Sequence, residues 1–192
     1  MSIATRKARA RKAALARRKA AHEAAHEAGR ARPAVDNLLA LLATGPAGAI
    51  AGYMPIRTEI DPLPAMRELA RRRTVAVPVV LGPGRPLAFH RWAPDMPMQV
   101  GAFGAMIPRE AIAVTPRIVI LPLVAFDRRG FRLGYGGGFY DRTLEGLRAR
   151  GPVLAVGLAY GAQQVERLPV EPTDQPMDAV VTERGVLEFP RD

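Results

Sequence analysis

The sequence predicts an α/β protein, a single three-layer α/β/α sandwich with a mainly parallel sheet and a basic N-terminal helix, and three observations lead there. Residues 47–54 and 74–80 are short, small or β-branched apolar runs, separated by a helical pattern over 62–72 that opens on Pro62 and closes on Arg71-Arg72-Arg73. Such a βαβ unit implies parallel strands with a covering helix. A further apolar run, 118–125, leads through a glycine-rich loop into a helical pattern from about 140 to 149 that Gly151-Pro152 stops. Finally, 192 residues are enough for one domain, 1–192, to bury a full core.

Taken in order, residues 4–28 are rich in alanine with Lys, Arg, His and Glu, and Gly29 and Pro33 supply a stop. Ile3 and Leu15 are the large apolar residues of this stretch, so the helix is expected on the surface, with its alanines inward. Asp36 is placed to cap a short second helix, 37–42, that ends before Gly45-Pro46. The βαβ unit follows, then an alternating strand over 87–92 and a proline-rich exit over 93–97. After the central loop and its helix come a buried strand within 152–160, a proline-rich stretch over 169–176, and a last strand over 177–182.

Composition removes several function classes. There is no cysteine, which excludes disulfides, thiolate metal sites and a cysteine nucleophile, and Ser2 is the only serine, which argues against a serine hydrolase. No apolar run is long enough to span a bilayer and no secretory leader is recognisable, so a cytoplasmic location is expected, with no membrane partner. Net charge is +10, but residues 1–32 hold ten Lys or Arg against Glu23 and Glu27, leaving net +2 for the rest. A solvated basic helix accounts for this, and the absence of stacking aromatics from it argues against nucleic acid. His22-Glu23-Ala24-Ala25-His26 has zinc-protease spacing, yet His90 is the only other histidine and the helix around the pair is polar.

The densest chemical signal is Arg132-Leu133-Gly134-Tyr135-Gly136-Gly137-Gly138-Phe139-Tyr140-Asp141-Arg142. Four glycines within five positions cost backbone entropy, but they let main-chain amides close on an anion where a helix begins. Asp141 in the first helical turn suits the helix dipole and a hard cation such as Mg²⁺. Neither the P-loop pattern nor the dinucleotide pattern fits, because no Lys-Ser or Lys-Thr follows the glycines and Phe139 stands where a third glycine is required. A glycine-rich helix start without a ligand is the structural alternative.

This motif resembles the signature of the 5-formyltetrahydrofolate cyclo-ligases, or methenyltetrahydrofolate synthetases, and the resemblance extends from residue 7 to residue 182. It implies ATP-dependent cyclisation of 5-formyltetrahydrofolate to 5,10-methenyltetrahydrofolate, with Mg²⁺ as cofactor, ATP as co-substrate and small molecules as partners; a monomer is expected, although the sequence does not fix the oligomeric state. The family's leading Lys-x-x-x-Arg matches Lys7 and Arg11, which share a helix face, with Lys12 and Arg17 or Arg18 as competing registers. By resemblance Lys7, Arg11, Arg132 and residues Leu133 to Tyr140 bind ATP, and Arg132 and Asp141 are the catalytic pair. The family segment Tyr-x-Pro-x-x-x-Glu-[IV]-Asp is present from Tyr53 to Asp61. It implies that Met54 and Glu59 bind the folate with Tyr135, Gly136, Gly137, Gly138 and Phe139. Phe103 is the aromatic of a folate-facing loop, with Trp92 as its competitor. The closing motif, Asp174 to Thr182, makes Asp178 the second metal ligand beside Asp141. Some relatives carry a basic residue inside the glycine loop, whereas Tyr135 and Gly137 stand there in this chain. A folate- or nucleotide-binding protein without turnover is the alternative reading.

Overall fold

Successive strand residues point to opposite faces, and the run Ile118–Pro122 uses both: Ile118 and Ile120 enter one apolar cluster, Val119 and Leu121 another. Burial on two sides makes this an interior strand with helices above and below. In the computed structural model of the protein, which describes residues 1–27 and 31–189, it lies at the centre of a seven-stranded sheet. The elements are α1 (Ile3–Glu27), α2 (Ala31–Ala43), β1 (Ile50–Ala51), α3 (Leu63–Ala70), β2 (Val75–Val79), β3 (Ala88–Trp92), β4 (Met98–Val100) and β5 (Met106–Pro108). They continue with β6 (Ile118–Pro122), β7 (Ala125–Asp127), β8 (Arg132–Leu133), α4 (Phe139–Arg148), β9 (Leu154–Leu158), β10 (Gln164–Val165), β11 (Ala179–Thr182) and β12 (Gly185–Glu188).

The sheet order is β12-β11-β9-β6-β1-β2-β3. The five inner strands are parallel, and the two edge strands, β12 and β3, run antiparallel to their neighbours. Helices α2 and α3 with the end of α1 cover one face through Val35, Leu38, Leu42, Ala65 and Ala25, while α4 covers the other through Leu144 and Leu147. The chain steps outward from β1 to β2 and later returns to β6, the other neighbour of β1. Strand order therefore reverses between β1 and β6, and in open parallel sheets the crevice beyond the carboxyl ends of such strands is where ligands bind.

Several boundaries differ from expectation. Helix α2 begins at Ala31 with Pro33 in its first turn, where a missing N–H costs nothing, so Asp36 lies inside the helix rather than capping it. The expected stop at Gly29 lies outside the described residues. The run at 118–125 is not one strand: the chain leaves the main sheet after Pro122, and Ala125–Asp127 pairs instead with β8 and β10 in a small separate sheet. Strand β1 is only two residues because the chain after Ala51 turns away to wall the crevice. The β4–β5 hairpin and edge strand β12 were not foreseen.

Helix α1 turns inward a stripe at alternating spacings of four and three, Lys7, Arg11, Ala14, Arg18, Ala21 and Ala25, of which Ala14, Arg18 and Ala25 are buried and the others half-buried. Alanine lets the helix lie close on the small sheet, where Ala14 packs with Val124, Ala125, Leu133 and Leu168. The cations on the same stripe are thereby carried over the crevice.

Candidate functional site

Strand β8 runs into residues 134–138, and α4 starts at Phe139, so the glycine loop is clamped between two fixed elements. Gly138 is the N-cap of α4 in left-handed geometry (φ 65°), with no side chain capping the first turn. The amides of that turn remain available to an anion, and the helix dipole favours one. Gly136 is also left-handed (φ 102°). Two guanidinium groups bracket the loop: Arg11 Nε donates to the Gly134 carbonyl at 2.8 Å and Arg142 Nη2 to that of Gly137. A Cβ at Gly136 would stand 3.3 Å from Arg11 Nη2, and one at Gly138 only 2.6 Å from Arg142 Nη1. The positive φ at both positions favours glycine, and a side chain there would also have to displace the arginine tips. Arg142 Nε is buried and has no hydrogen-bond partner among the described residues.

The loop forms one wall of a cleft of about 540 Å³ beyond β1, β2 and β6, within the range of small-molecule sites. Apart from the competing candidates Lys12, Arg17, Arg18 and Trp92, every residue assigned to the site from the sequence lines it except Asp178. The Lys7 ammonium lies 2.7 Å from Glu171 Oε2 and 2.6 Å from Asp174 Oδ2. Burial opposes its charge, but the hydrogen bonds and charges of Asp174 and Glu171 prevail and leave its pKa above the ordinary lysine value. Arg132 is nearly buried; Nη2 donates to Asp141 Oδ1 at 2.7 Å and Nη1 to the Gln175 carbonyl at 2.6 Å. The Gln175 amide donates to the same Asp141 oxygen. Asp141 Oδ2 makes no hydrogen bond among the described residues, which leaves a hard oxygen for a cation such as Mg²⁺, whose shell water and phosphate commonly complete.

Asp178 is placed elsewhere. Its Oδ2 accepts the Ala155 amide at 2.6 Å and lies 3.5 Å from Arg148 Nη2, beside β9 and behind the cleft wall. Asp141 thus lines the cleft and Asp178 does not. The reason is local: α4 carries Arg148 to the foot of β11, where it draws in Asp178 as a counter-charge. Besides Asp141 and Glu59, the carboxylates on the cleft wall are Glu145, Glu171 and Asp174.

At the other end of the cleft the chain after β1 supplies Met54, Ile56 and Glu59, and Phe103 stands opposite at the rim. Glu59 is buried, and its Oε2 accepts the Ile56 amide at 2.9 Å. Burial pushes its pKa up to about 6, against the opposing pull of the Ile56 amide, Arg18, Tyr135 and Arg57. Tyr135 carries Arg18 and Arg57 5.3 Å from its ring centroid, and Arg57 holds left-handed geometry (φ 54°). Phe103 is 73% exposed in a left-handed conformation (φ 58°), its ring edge-to-face with Phe139 at 6.1 Å. Trp92 is buried with Met66, Val75 and Val77, so Phe103 is the aromatic that faces the cleft.

Three cations in or beside the cleft wall escaped the sequence reading. Arg57 sits in the matched Tyr53–Asp61 segment but carried no role there, and Arg142 was noted only as a flank of the glycine loop. Arg18, first seen as a competing register, is buried on the stripe that begins at Lys7; the three-four spacing was the signal that could have found it. Of the zinc-like pair, His22 Nδ1 lies 3.0 Å from the Tyr160 hydroxyl, and the side chain of His26 lies outside the described residues. No group of three or more potential metal-ligating side chains occurs among the described residues. No helix among them is long and apolar enough to cross a membrane.

The chain is similar to known proteins in sequence and in fold. A sequence model described as the 5-formyltetrahydrofolate cyclo-ligase family matches residues 3–183. A 5-formyltetrahydrofolate cyclo-ligase of Haemophilus influenzae is 48% identical over 96 residues, 47% of this chain and 51% of that protein. The match thus spans about half of that relative's length. A 5-formyltetrahydrofolate cyclo-ligase of Mycolicibacterium smegmatis is 32% identical over 152 residues, 72% of this chain and 75% of the relative. The NMR structure of the Aquifex aeolicus 5,10-methenyltetrahydrofolate synthetase superposes with a TM-score of 0.76 and 34% identity, covering 97% of this chain and 94% of that one. A Mycoplasma pneumoniae 5,10-methenyltetrahydrofolate synthetase shares the fold, with a TM-score of 0.71 at 23% identity over 92% and 98% of the two chains.

Proposed function

Since this chain belongs to the 5-formyltetrahydrofolate cyclo-ligase family, we propose that it converts 5-formyltetrahydrofolate and ATP into 5,10-methenyltetrahydrofolate, ADP and phosphate. The observation that carries the reading is a single cleft with an anion-binding end and a carboxylate-and-aromatic end, joined at Tyr135. The glycine-loop amides, Lys7, Arg11 and Arg142 suit a triphosphate. Glu59 suits the donor-rich edge of a pterin, where two N–H groups meet one carboxylate, and Phe103 and Phe139 offer aromatic faces and edges to its ring.

The chemistry needs positioning more than acid or base. A formamide oxygen leaves poorly, so it first attacks the γ-phosphorus, breaking the bond to ADP and becoming a phosphate ester. N10 then attacks the formyl carbon, the phosphate departs with that oxygen, and the N10 proton goes with it. The carbonyl oxygen carries no proton, so no side chain has to remove one in the phosphoryl step. Arg132, Arg11 and the loop amides neutralise charge on the transferring group, which is the main work in phosphoryl transfer. Asp141 would hold Mg²⁺ through its open oxygen, and the ion when bound supplies further neutralisation of phosphate charge.

The test is direct, because methenyltetrahydrofolate absorbs in the near ultraviolet. Protein mixed with Mg-ATP and 5-formyltetrahydrofolate is expected to generate that chromophore in proportion to enzyme. Binding of folate and ATP without the chromophore would show a sequestering protein of this fold and end the catalytic reading.

A further inference from the structure

Behind the Glu59 end of the cleft stands a buried cation. Arg18 is 1% exposed, among the largest wholly buried side chains, and does not itself line the cleft. It lies on the α1 stripe whose neighbouring members are Ala14, Ala21 and Ala25, so an alanine or leucine would have met the packing need. Burying a guanidinium is costly unless its donors and charge are met. They are met by three segments that form the cleft wall. Nε donates to Thr58 Oγ1 at 3.1 Å, Nη1 to the Leu123 carbonyl at 3.2 Å, and Nη2 to the Tyr135 hydroxyl at 2.5 Å. Nη1 also stands 3.9 Å from Glu59 Oε1. One side chain thus ties the turn after β1, the point where the chain leaves β6, and the glycine loop to the N-terminal helix.

We infer that Arg18 is a positioning residue for the folate half of the site: it holds the Glu59 carboxylate and the Tyr135 hydroxyl in the orientation that recognises the pterin. The inference rests on the proposed folate substrate and deepens it, because it says what sets the state of the recognising carboxylate. The groups facing Glu59 are Arg18 from α1, Arg57 from its own turn, Tyr135 from the glycine loop, Tyr53 from the turn after β1, and Tyr140 from α4. Among the charged side chains that oppose its protonation, Arg18 leads and Arg57 follows. Without Arg18, burial is less opposed and Glu59 takes up its proton at higher pH. The geometry also predicts which substrate suffers, since Arg18 bonds Thr58, Leu123 and Tyr135 and approaches Glu59, and none of its hydrogen bonds reaches Lys7, Arg11, Arg132 or Asp141.

Arg18→Lys and Arg18→Met are compared with the wild type and with Glu59→Gln. Equilibrium binding of 5-formyltetrahydrofolate is measured from pH 5 to 9, and KM for ATP and folate is measured by turnover. Arg18→Met is expected to weaken folate binding at neutral pH by about tenfold, the scale of one lost charge-assisted hydrogen bond. The KM for ATP should stay within about twofold, since an unaltered contact contributes no difference. The acid limb of folate binding should move to higher pH in Arg18→Met and by less in Arg18→Lys, which keeps the charge but not the fork. Adding Arg18→Lys to Glu59→Gln should cost much less than on the wild type, because coupled residues are not additive. An unmoved acid limb, or equal loss for ATP and folate, would overturn the inference even where the variants remain folded. A wild type that binds folate without turnover would overturn the catalytic reading alone; one that does not bind folate would overturn both.

Discussion

Arg132 Nη2 donates to Asp141 Oδ1 at 2.7 Å, so the strand before the glycine loop and the first turn of the helix after it are locked together across the loop they enclose. The same Asp141 oxygen accepts the Gln175 amide. The loop therefore cannot widen or close without disturbing a charged contact.

Arg132→Ala removes a cation from the phosphate end and leaves Asp141 without its counter-charge. The KM for ATP should rise by at least about tenfold, the scale of one lost charge-assisted contact, while that for folate changes by less than about threefold. Steady-state kinetics with each substrate varied in turn would check it, and equal changes would remove Arg132 from the triphosphate.

Lys7 is held by Glu171 and Asp174, two carboxylates that compete with a phosphate for the same ammonium. Glu171 is the more exposed of the two, and its loss frees Lys7 in part. Glu171→Gln is expected to lower the KM for ATP by about two- to fivefold, in keeping with a half-exposed ion pair of up to about 1 kcal/mol. Lys7→Ala is expected to raise it. Opposite signs in the two variants are the diagnostic result.

Glu59 titrates at about 6 in the folded protein against 4.5 as the ordinary value. A carboxylate whose pKa is raised by folding binds protons more readily in the native state, so its effect on stability worsens as pH climbs from about 4.5 through 6. Glu59→Gln lacks this titration. The stability difference, variant minus wild type, should therefore increase between pH 4.5 and 7.5 by about 2 kcal/mol. Chemical denaturation at fixed pH values would measure it, and a flat difference would sink the assigned shift. Folate binding to the wild type should weaken as pH falls below about 6, where the carboxylate is lost.

Asp178 accepts the Ala155 amide and faces Arg148, whereas Asp141 lines the cleft. Asp178→Asn should lower the melting temperature by several degrees, for a loss of about 1–3 kcal/mol, with the Mg²⁺ dependence of turnover nearly unchanged. Asp141→Asn should raise the Mg²⁺ concentration needed for half-maximal rate. Magnesium titrations and thermal melts of both variants separate the two roles, and a Mg²⁺ dependence altered equally in both would return Asp178 to the metal.

Much of this protein was legible in the one-dimensional string. Apolar runs at 74–80 and 118–125, the helix opened by Pro62 and the glycines before Asp141 declare a parallel sheet and an anion loop, because periodicity and backbone freedom are local properties. Lys7 and Arg11 declare a shared face for the same reason. The tertiary structure alone decided what those faces meet. It brings Arg18 against Thr58, Leu123 and Tyr135, residues 40 to 117 positions away, turns Asp178 toward Arg148, and bends the chain out of the sheet after Pro122. A buried charge, a diverted carboxylate and a broken strand depend on which distant partner supplies the missing hydrogen bond or counter-charge, and that partner is fixed only when the sheet has assembled.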